Sequence, residues 1–213
     1  MNFDPAGFIR QNLRLEPVPS LPEILLYTAH PASRLSRLAD PDDEDPPAPY
    51  WAYQWAGGLA LAHHFTAHPG AVAGKRVLDL GAGSGLVGIV AAKAGAIVSA
   101  AEIDPNGSTA IALNAAANGV VVAIVELEIA GPVPDGIDLI AAGDVFYNAE
   151  VAERMLPFLL RCRAAGIEVL IGDPDRRDLP VARLERLASY AVGDVGDARA
   201  ATDRIGTVYA LRG

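Results

Sequence analysis

A short apolar segment followed by a glycine-rich turn constrains the fold of this chain more than any other feature. Val77-Leu78-Asp79-Leu80 has the composition of a buried strand, and Gly81-Ala82-Gly83-Ser84-Gly85 follows it directly. Glycine lets a backbone turn sharply and approach a ligand closely, because it has no Cβ. The residues from Leu86 onward predict a helix whose first amides face the turn. The segment therefore predicts a strand–turn–helix unit with a binding site at the turn.

Beyond this unit, segments typical of strands and of helices alternate along the chain, as in a parallel sheet covered by helices. No helical pattern lies between the last two strands, which are therefore expected to form an antiparallel hairpin. The predicted fold is α/β: a Rossmann-like, seven-stranded, mostly parallel sheet with a C-terminal antiparallel hairpin and helices on both faces. The predicted strands are 76–80, 97–102, 120–126, 137–143, 167–172, 190–195 and 205–211, and the predicted helices are 51–65, 85–94, 106–118, 149–164 and 180–189.

Length and composition bear on the domain organisation. A chain of 213 residues suits one domain, and its 51% hydrophobic residues, few of them aromatic, suit strands buried on both faces. The first 48 residues carry many prolines and polar breaks. We predict that residues 1–48 form an N-terminal extension packing on a main domain of residues 49–213. Within the extension, residues 5–15 are expected to form a short helix and residues 40–47 a solvated acidic loop.

Charge and cysteine content narrow the possible partners. Twenty-six acidic residues against seventeen basic ones give a net charge of −9, which disfavours binding to a phosphate backbone. The single cysteine, Cys162, excludes an intrachain disulfide and is expected in the core. No metal site is predicted. The N-terminal residues lack a signal-peptide pattern, and no apolar run reaches the roughly 18 residues that a membrane span needs. These features predict a cytoplasmic protein that binds neither nucleic acid nor membrane.

Two acidic residues decide which ligand the glycine turn binds. Gly83-x-Gly85-x-x-Gly88 also fits the dinucleotide fingerprint of nicotinamide-dependent dehydrogenases. Asp79, however, places a carboxylate at the strand end, which suits a cationic ligand such as the amino group and sulfonium of S-adenosylmethionine. Glu102 ends the next predicted strand, where a carboxylate can accept both hydroxyls of a ribose. We therefore predict S-adenosylmethionine as the cofactor. The neighbouring Asp104 is expected to cap the following helix.

Four further segments accompany the glycine turn. They are Leu21-Pro22-Glu23-Ile24, Pro49-Tyr50-Trp51-Ala52-Tyr53-Gln54-Trp55-Ala56-Gly57-Gly58, Asp144-Val145-Phe146-Tyr147 and Ile171-Gly172-Asp173-Pro174. Together with the glycine turn, these segments resemble the class I, seven-β-strand S-adenosylmethionine-dependent methyltransferases, and among these the electron transfer flavoprotein β-subunit lysine methyltransferase family. The chain departs from the commoner family pattern at Asp175, where a glycine usually lies between Asp-Pro and the arginine.

The resemblance implies an activity and a set of site residues. The activity is transfer of a methyl group from S-adenosylmethionine to protein lysine side chains, with the β subunit of electron transfer flavoprotein as the favoured substrate. Asp144 and Tyr147 are the implied catalytic residues, and Glu126 or Leu127, preferably Leu127, is expected against the adenine. Asp79, assigned from its position in the strand before the glycine turn, completes the set of expected cofactor-binding residues. The set is Trp55, Asp79, Gly81, Gly83, Gly85, Glu102, Leu127 and Gly143.

Alternatives remain open at this point. The methyl acceptor could instead be a ribosomal protein or a small amine, and the fold could belong to a nicotinamide-dependent dehydrogenase or to a non-catalytic nucleotide-binding scaffold. Phe146 and Tyr147 could wall a lysine pocket or simply pack on the next helix. Trp51 and Trp55 are four residues apart in the predicted helix, so we expect one of them to lie in the core.

Overall fold

The computed structural model describes residues 4–38, 48–193 and 204–213, and helices and strands alternate from the strand that begins at residue 76 to the strand that ends at residue 124. Short 3-10 turns occur at Leu35–Leu38, Tyr50–Ala52, Pro69–Ala71 and Val181–Arg183. The helices are α1 (Pro5–Asn12), α2 (Ala56–Ala67), α3 (Leu86–Lys93), α4 (Pro105–Ala117) and α5 (Ala149–Ala164). The strands are β1 (Arg14–Val18), β2 (Leu21–Thr28), β3 (Arg76–Leu80), β4 (Ile97–Ala101), β5 (Val122–Ile124), β6 (Leu139–Gly143), β7 (Glu168–Asp173), β8 (Leu184–Val192) and β9 (Arg204–Leu211).

The main sheet has seven strands in the order β5-β4-β3-β6-β7-β9-β8. The first five of these run parallel, whereas β9 pairs antiparallel with both β7 and β8. The predicted α/β architecture with its antiparallel C-terminal hairpin is thereby confirmed. In register, Leu80 at the end of β3 lies beside Ala101 of β4 and Ala142 of β6, and Gly143 lies beside Gly172 of β7. The carboxyl ends of four strands therefore meet at one edge, where open α/β sheets bind ligands.

Side chains alternate between the two faces of this sheet, as the period of two in a strand requires. Val77 of β3 packs in one apolar cluster with residues of α2 and α3. The next residue, Leu78, packs in a second cluster with residues of α5, among them the buried Cys162. The helices on both faces and the core position of Cys162 are thus as predicted.

The N-terminal segment folds onto this core. Helix α1 ends at Asn12, earlier than predicted, and β1 and β2 form an antiparallel hairpin that we did not predict. Asn114 Oδ1, on α4, accepts a hydrogen bond from the Tyr27 amide at 2.8 Å, and Asn118 pairs with both backbone groups of Leu25. Ile24 is buried in the first apolar cluster. The division at residue 48 stays a prediction, and the acidic loop at 40–47 lies outside the described residues.

The predicted helix at 180–189 is wrong. A single 3-10 turn spans Val181–Arg183, and β8 follows from Leu184. Its Leu, Glu, Arg and Ala residues favour helix locally, but pairing with β9 along its whole length overrides that preference. The strand predicted at 190–195 is the end of β8, and residues 194 and 195 lie outside the described part of the chain.

The predicted helix at 51–65 also begins later than expected. Trp51 lies in the 3-10 turn, the chain is extended at Tyr53, and α2 starts at Ala56. Trp51 and Trp55 therefore do not share a helical face. Among the described residues, no helix is long and apolar enough to cross a membrane.

Candidate active site

The glycine turn after β3 is held in a shape that only glycine adopts readily. Gly81, Gly83 and Gly85 have φ angles of +65°, +54° and +79°. An L-residue with a side chain is strained in this left-handed region. The Gly81 amide donates to the Ala101 carbonyl at 3.0 Å, which ties the turn to the end of β4. The turn is therefore a fixed backbone surface at the carboxyl edge of the sheet.

Asp79 lies beneath this turn on the face of β3 that α3 covers. Its Oδ2 accepts a hydrogen bond from the Gly88 amide at 2.8 Å, and the residue is only 1% exposed. Burial raises the pKa of Asp79 to about 7; the Gly88 hydrogen bond opposes the shift, and Glu102 adds to it. A buried carboxylate of this kind is stabilised by a cationic partner. The glycine that completed the apparent dinucleotide fingerprint, Gly88, is thus a partner of Asp79.

Glu102 follows β4 and connects the glycine turn to α4. Its Oε2 accepts from the Gly83 amide at 2.8 Å, and its Oε1 accepts from the Asp104 amide at 2.9 Å. Burial raises the pKa of Glu102, and the backbone amides partly offset that rise. Asp104 caps α4 through the Asn106 amide, as predicted, and also accepts from Trp51 Nε1 at 2.8 Å. Glu102 therefore presents a carboxylate held by two backbone hydrogen bonds.

An open cleft of about 50 Å³ lies along this edge. Its described lining includes two carboxylates, the glycine turn and apolar side chains, but no lysine or arginine. This donor set suits the cationic amino group and sulfonium of S-adenosylmethionine, whereas two carboxylates in the cleft would repel a dinucleotide pyrophosphate. The residues present therefore fit S-adenosylmethionine. The cleft is lined by Tyr53, Trp55, Gly58, Asp79, Gly81, Ala82, Gly83, Ser84, Leu86, Val87, Gly143 and Asp144.

The start of α2 packs directly on the ends of β6 and β7. A Cβ on Gly57 would lie 2.1 Å from the Gly172 carbonyl oxygen, and one on Gly143 would lie 2.9 Å from Gly58 Cα. Side chains at Gly57, Gly143 or Gly172 would push the helix away from the sheet. The close approach places the Gly58 amide 2.8 Å from Asp144 Oδ2, to which it donates. The helix start thus helps to orient this carboxylate.

Asp144 itself follows β6 in a left-handed conformation, with φ at +58°. Such a backbone is uncommon outside glycine and often marks a functional site. Its Oδ1 forms a charged hydrogen bond with Arg176 Nη1. The Asp144 side chain is 11% exposed and lines the cleft, so it is accessible there while held by two partners.

Arg176 also contacts a second carboxylate, that of Asp173 at the end of β7. The Arg176 amide donates to Asp173 Oδ1 at 2.6 Å, and Arg176 Nη1 lies 3.5 Å from Asp173 Oδ2. Burial raises the pKa of Asp173 to about 6, although Arg176 opposes the shift. The sequence reasoning did not assign Asp173 and Arg176 to the site. The only signal was that Asp173 falls in one of the segments that carry the family resemblance.

Aromatic rings stand beside the cleft. The Tyr147 and Tyr50 ring centroids are 6.0 Å apart, and the Tyr50 and Trp55 rings meet edge to face at 5.5 Å. Tyr147 is 47% exposed, whereas Phe146 and Trp51 are buried in the core. One tryptophan is thus at the cleft and the other in the core, as expected. Tyr50 was missed as part of this group.

Three predicted cofactor residues, Gly85, Glu102 and Leu127, are not among the residues that line the cleft. Leu127 packs, partly buried, against the second apolar cluster, and its neighbour Glu126 is exposed. A Cβ on Gly85 would meet Ile111 of α4 at 3.1 Å, so Gly85 shapes the turn and contacts α4. The adenine assignment of Leu127 and the contact through Gly85 stay predictions.

Comparisons with known proteins agree with this geometry. A family model described as lysine methyltransferase matches residues 52–187. The electron transfer flavoprotein β-subunit lysine methyltransferase of Danio rerio is 38% identical over 199 residues, which cover 90% of this chain and 77% of that protein. The corresponding Xenopus laevis protein is 38% identical over 197 residues, covering 89% of this chain and 80% of that protein.

A solved structure supports the fold. The ribosomal protein L11 methylase of Lactobacillus delbrueckii subsp. bulgaricus superposes with a TM-score of 0.51 at 23% identity, over 72% of this chain and 77% of that chain. The family match covers more than half of the sequence, and the two vertebrate relatives match it along most of their length. This chain belongs to the lysine methyltransferase family and is an S-adenosylmethionine-dependent protein-lysine methyltransferase.

Proposed function

We propose that this enzyme methylates lysine side chains of the β subunit of electron transfer flavoprotein. The support is the similarity to enzymes named for that substrate, which extends over about nine-tenths of this chain. The net charge of −9 also suits a protein substrate with a lysine-rich surface.

For the cofactor, we assign each part of the cleft a role. Asp79 lies closest to the cationic end, Gly81 and Gly83 contact the cofactor through their backbone, and Glu102 accepts the ribose hydroxyls. Gly85 keeps the turn in shape. Trp55 and Gly143 border the methyl-transfer position, and Leu127 lies against the adenine.

The observation that carries the mechanism is the position of Asp144, whose carboxylate lies in the same cleft as the glycine turn and Trp55. S-adenosylmethionine supplies an electrophilic sulfonium methyl group. A lysine amine, with an ordinary pKa near 10.4, must be neutral to accept it. Asp144 accepts a hydrogen bond from the amine and orients its lone pair, while bulk water takes the proton. Orientation of this kind supplies much of the rate in a simple displacement.

The aromatic rings have a separate role. Tyr147, Tyr50 and Trp55 present ring faces and edges next to the position of the amine. Ring faces stabilise alkylated ammonium groups through cation–π interactions. A mono- or dimethylated lysine is therefore tolerated in the cleft, which permits successive methylation.

Incubation of the purified enzyme with labelled S-adenosylmethionine and recombinant β subunit tests the substrate. We expect label on lysines of the β subunit, located by peptide mass spectrometry. Ribosomal protein L11 and free lysine serve as competing acceptors. Label on either of these but not on the β subunit would reject the proposed substrate while leaving the lysine methyltransferase assignment intact.

Asp144→Asn tests the catalytic assignment. The amide keeps the shape of the side chain but weakens its hydrogen bond to the substrate amine and its ion pair with Arg176. We expect kcat to fall at least tenfold, with little change in the affinity for S-adenosylhomocysteine measured by calorimetry. Equal losses of kcat and of cofactor affinity would show that Asp144 acts only in the architecture of the cleft.

A further inference from the structure

One arginine is shared between two carboxylates at the edge of the cleft. The Arg176 guanidinium is bonded to Asp144 Oδ1, the carboxylate that we assign to the substrate amine. It occupies the place on Asp144 where a substrate cation would bind. Arg176 is 18% exposed and Asp144 is 11% exposed, so the pair is partly shielded from water. A lysine side chain entering the cleft must therefore compete with Arg176 for Asp144.

Asp173 offers that arginine a second place to bind. Its Oδ2 is fully buried and, within the described residues, has no hydrogen-bond partner, although Arg176 Nη1 lies only 3.5 Å away. Buried carboxylate oxygens are normally hydrogen-bonded, because an unpaired one is unfavourable. The Arg176 backbone is already anchored on Asp173 Oδ1, so a small rotation of the side chain is enough to reach Oδ2.

There is space for such a movement. Beside Arg176, an open pocket of about 440 Å³ is lined by Arg176 itself together with Asp175, Leu179 and Tyr209. The Tyr209 hydroxyl donates a hydrogen bond to Asp175, so the Asp175 carboxylate already has a partner. Asp173 is thus the carboxylate that lies within reach of the guanidinium and still has an oxygen available.

We propose that Asp173 is a positioning residue that receives the Arg176 guanidinium when the substrate lysine displaces it from Asp144. This inference rests on the proposed role of Asp144 as the acceptor for the amine. One charged hydrogen bond of Arg176 replaces another in the exchange, so the guanidinium stays paired with a carboxylate. Arg176 also remains close to the amine, and its positive charge favours the neutral, nucleophilic form.

Kinetics of four proteins test the exchange: the wild type, Asp173→Asn, Arg176→Met and the double variant. Asparagine places an amide where the guanidinium must bind, so in Asp173→Asn we expect KM for the electron transfer flavoprotein β subunit to rise about tenfold, equivalent to about 1.4 kcal/mol. Affinity for S-adenosylhomocysteine should change less than about twofold. When Arg176 is already methionine, adding Asp173→Asn should leave KM unchanged, because no guanidinium remains to be accommodated.

The double variant also controls for folding, because it removes one positive and one negative charge together. A purely structural role for Asp173 would lower the melting temperature and would raise KM equally with and without Arg176. That additive result would overturn the inference, as would an unchanged KM in Asp173→Asn.

A spectroscopic measurement separates this inference from the identity of the substrate. In protein labelled with ¹⁵N-arginine and saturated with S-adenosylhomocysteine, n-butylamine serves as a mimic of the lysine side chain. We expect the Arg176 side-chain signal, assigned by its loss in Arg176→Lys, to shift on titration in the wild type but not in Asp173→Asn. An Arg176 signal that stays in place in the wild type would overturn the inference. Should the β subunit not be methylated, only the substrate proposal fails, and this titration still decides the exchange.

Discussion

Replacing Gly57 by alanine would place a methyl group in a contact that has no room for one. The added Cβ would lie 2.1 Å from the Gly172 carbonyl oxygen and 2.6 Å from Asp144 Oδ2. The first of these atoms belongs to the backbone of β7 and cannot rotate away. Helix α2 must therefore move off the sheet, and Asp144 must change its position.

The magnitude follows from two opposing effects. Overpacking of this kind destabilises a protein by about 1–3 kcal/mol, and the backbone contact places Gly57→Ala near 3 kcal/mol. Alanine favours helix over glycine by up to about 1 kcal/mol, which offsets part of the loss. The expected net loss is about 2 kcal/mol, or a melting temperature lower by roughly 4–8 °C for a chain of this size.

Gly58→Ala is the matched control, one residue further along the same helix. Its Cβ would meet only Val87 Cγ2, at an ordinary 3.7 Å, and its amide would still donate to Asp144. The same gain in helix preference should leave this variant as stable as the wild type or up to about 1 kcal/mol more stable.

Urea denaturation, monitored by circular dichroism, measures the free energy of unfolding of both variants. The rate of methyl transfer by the folded fraction reports whether Asp144 has been displaced. We expect lower stability and lower kcat for Gly57→Ala, and no loss of stability for Gly58→Ala. Equal stability of the two variants would refute the argument that α2 touches the sheet through its glycines.

Three further outcomes are expected. The pKa of Asp79 is raised from 3.8 to about 7, so the folded state keeps a proton that the unfolded chain releases near pH 4. This stabilisation is complete below about pH 4 and is lost as the pH rises through 7. Urea denaturation should therefore show a shallower loss of stability between about pH 4 and pH 7 in Asp79→Asn than in the wild type, and equal slopes would place the proton elsewhere. Glu102→Ala should weaken S-adenosylmethionine binding by about 1.5–3 kcal/mol in calorimetry, and unchanged affinity would remove Glu102 from the site. Asn114 donates a hydrogen bond to the Ser84 carbonyl and accepts one from the Tyr27 amide. Asn114→Leu should therefore lower the free energy of unfolding by about 1–3 kcal/mol for each backbone group left unpaired. No measurable loss of stability would show that these two hydrogen bonds are dispensable.

The parallel part of the fold could be predicted because its signals are local. Helices α3, α4 and α5 begin and end within about two residues of their predicted bounds, since glycine turns and N-caps punctuate the chain there. Asp104, for example, caps α4 as its position suggested. Local patterns were misleading at β8, where pairing with a distant strand overrides helix preference.

The same contrast holds for the candidate site. Asp79 and Glu102 could be proposed because each lies at or beside the carboxyl end of a strand, at a known distance in sequence from the glycine turn. Arg176 could not, because its partner Asp144 lies 32 residues earlier in the chain and only the sheet brings the two together. Phe146 and Tyr147 are adjacent in sequence, yet only the fold shows that one is buried and the other exposed.

By itself, the sequence determined the strand–turn–helix unit at Val77–Gly85 and, through Asp79 and Glu102, favoured S-adenosylmethionine as its ligand. Left-handed glycines and an acid inside a strand are properties of a few consecutive residues, so they are readable without a fold. Only the tertiary structure decided that Arg176 is shared by Asp144 and Asp173, and that Gly57 contacts Gly172. These contacts join the ends of β6, β7 and α2, and their distances depend on sheet register and helix packing, which no local pattern specifies.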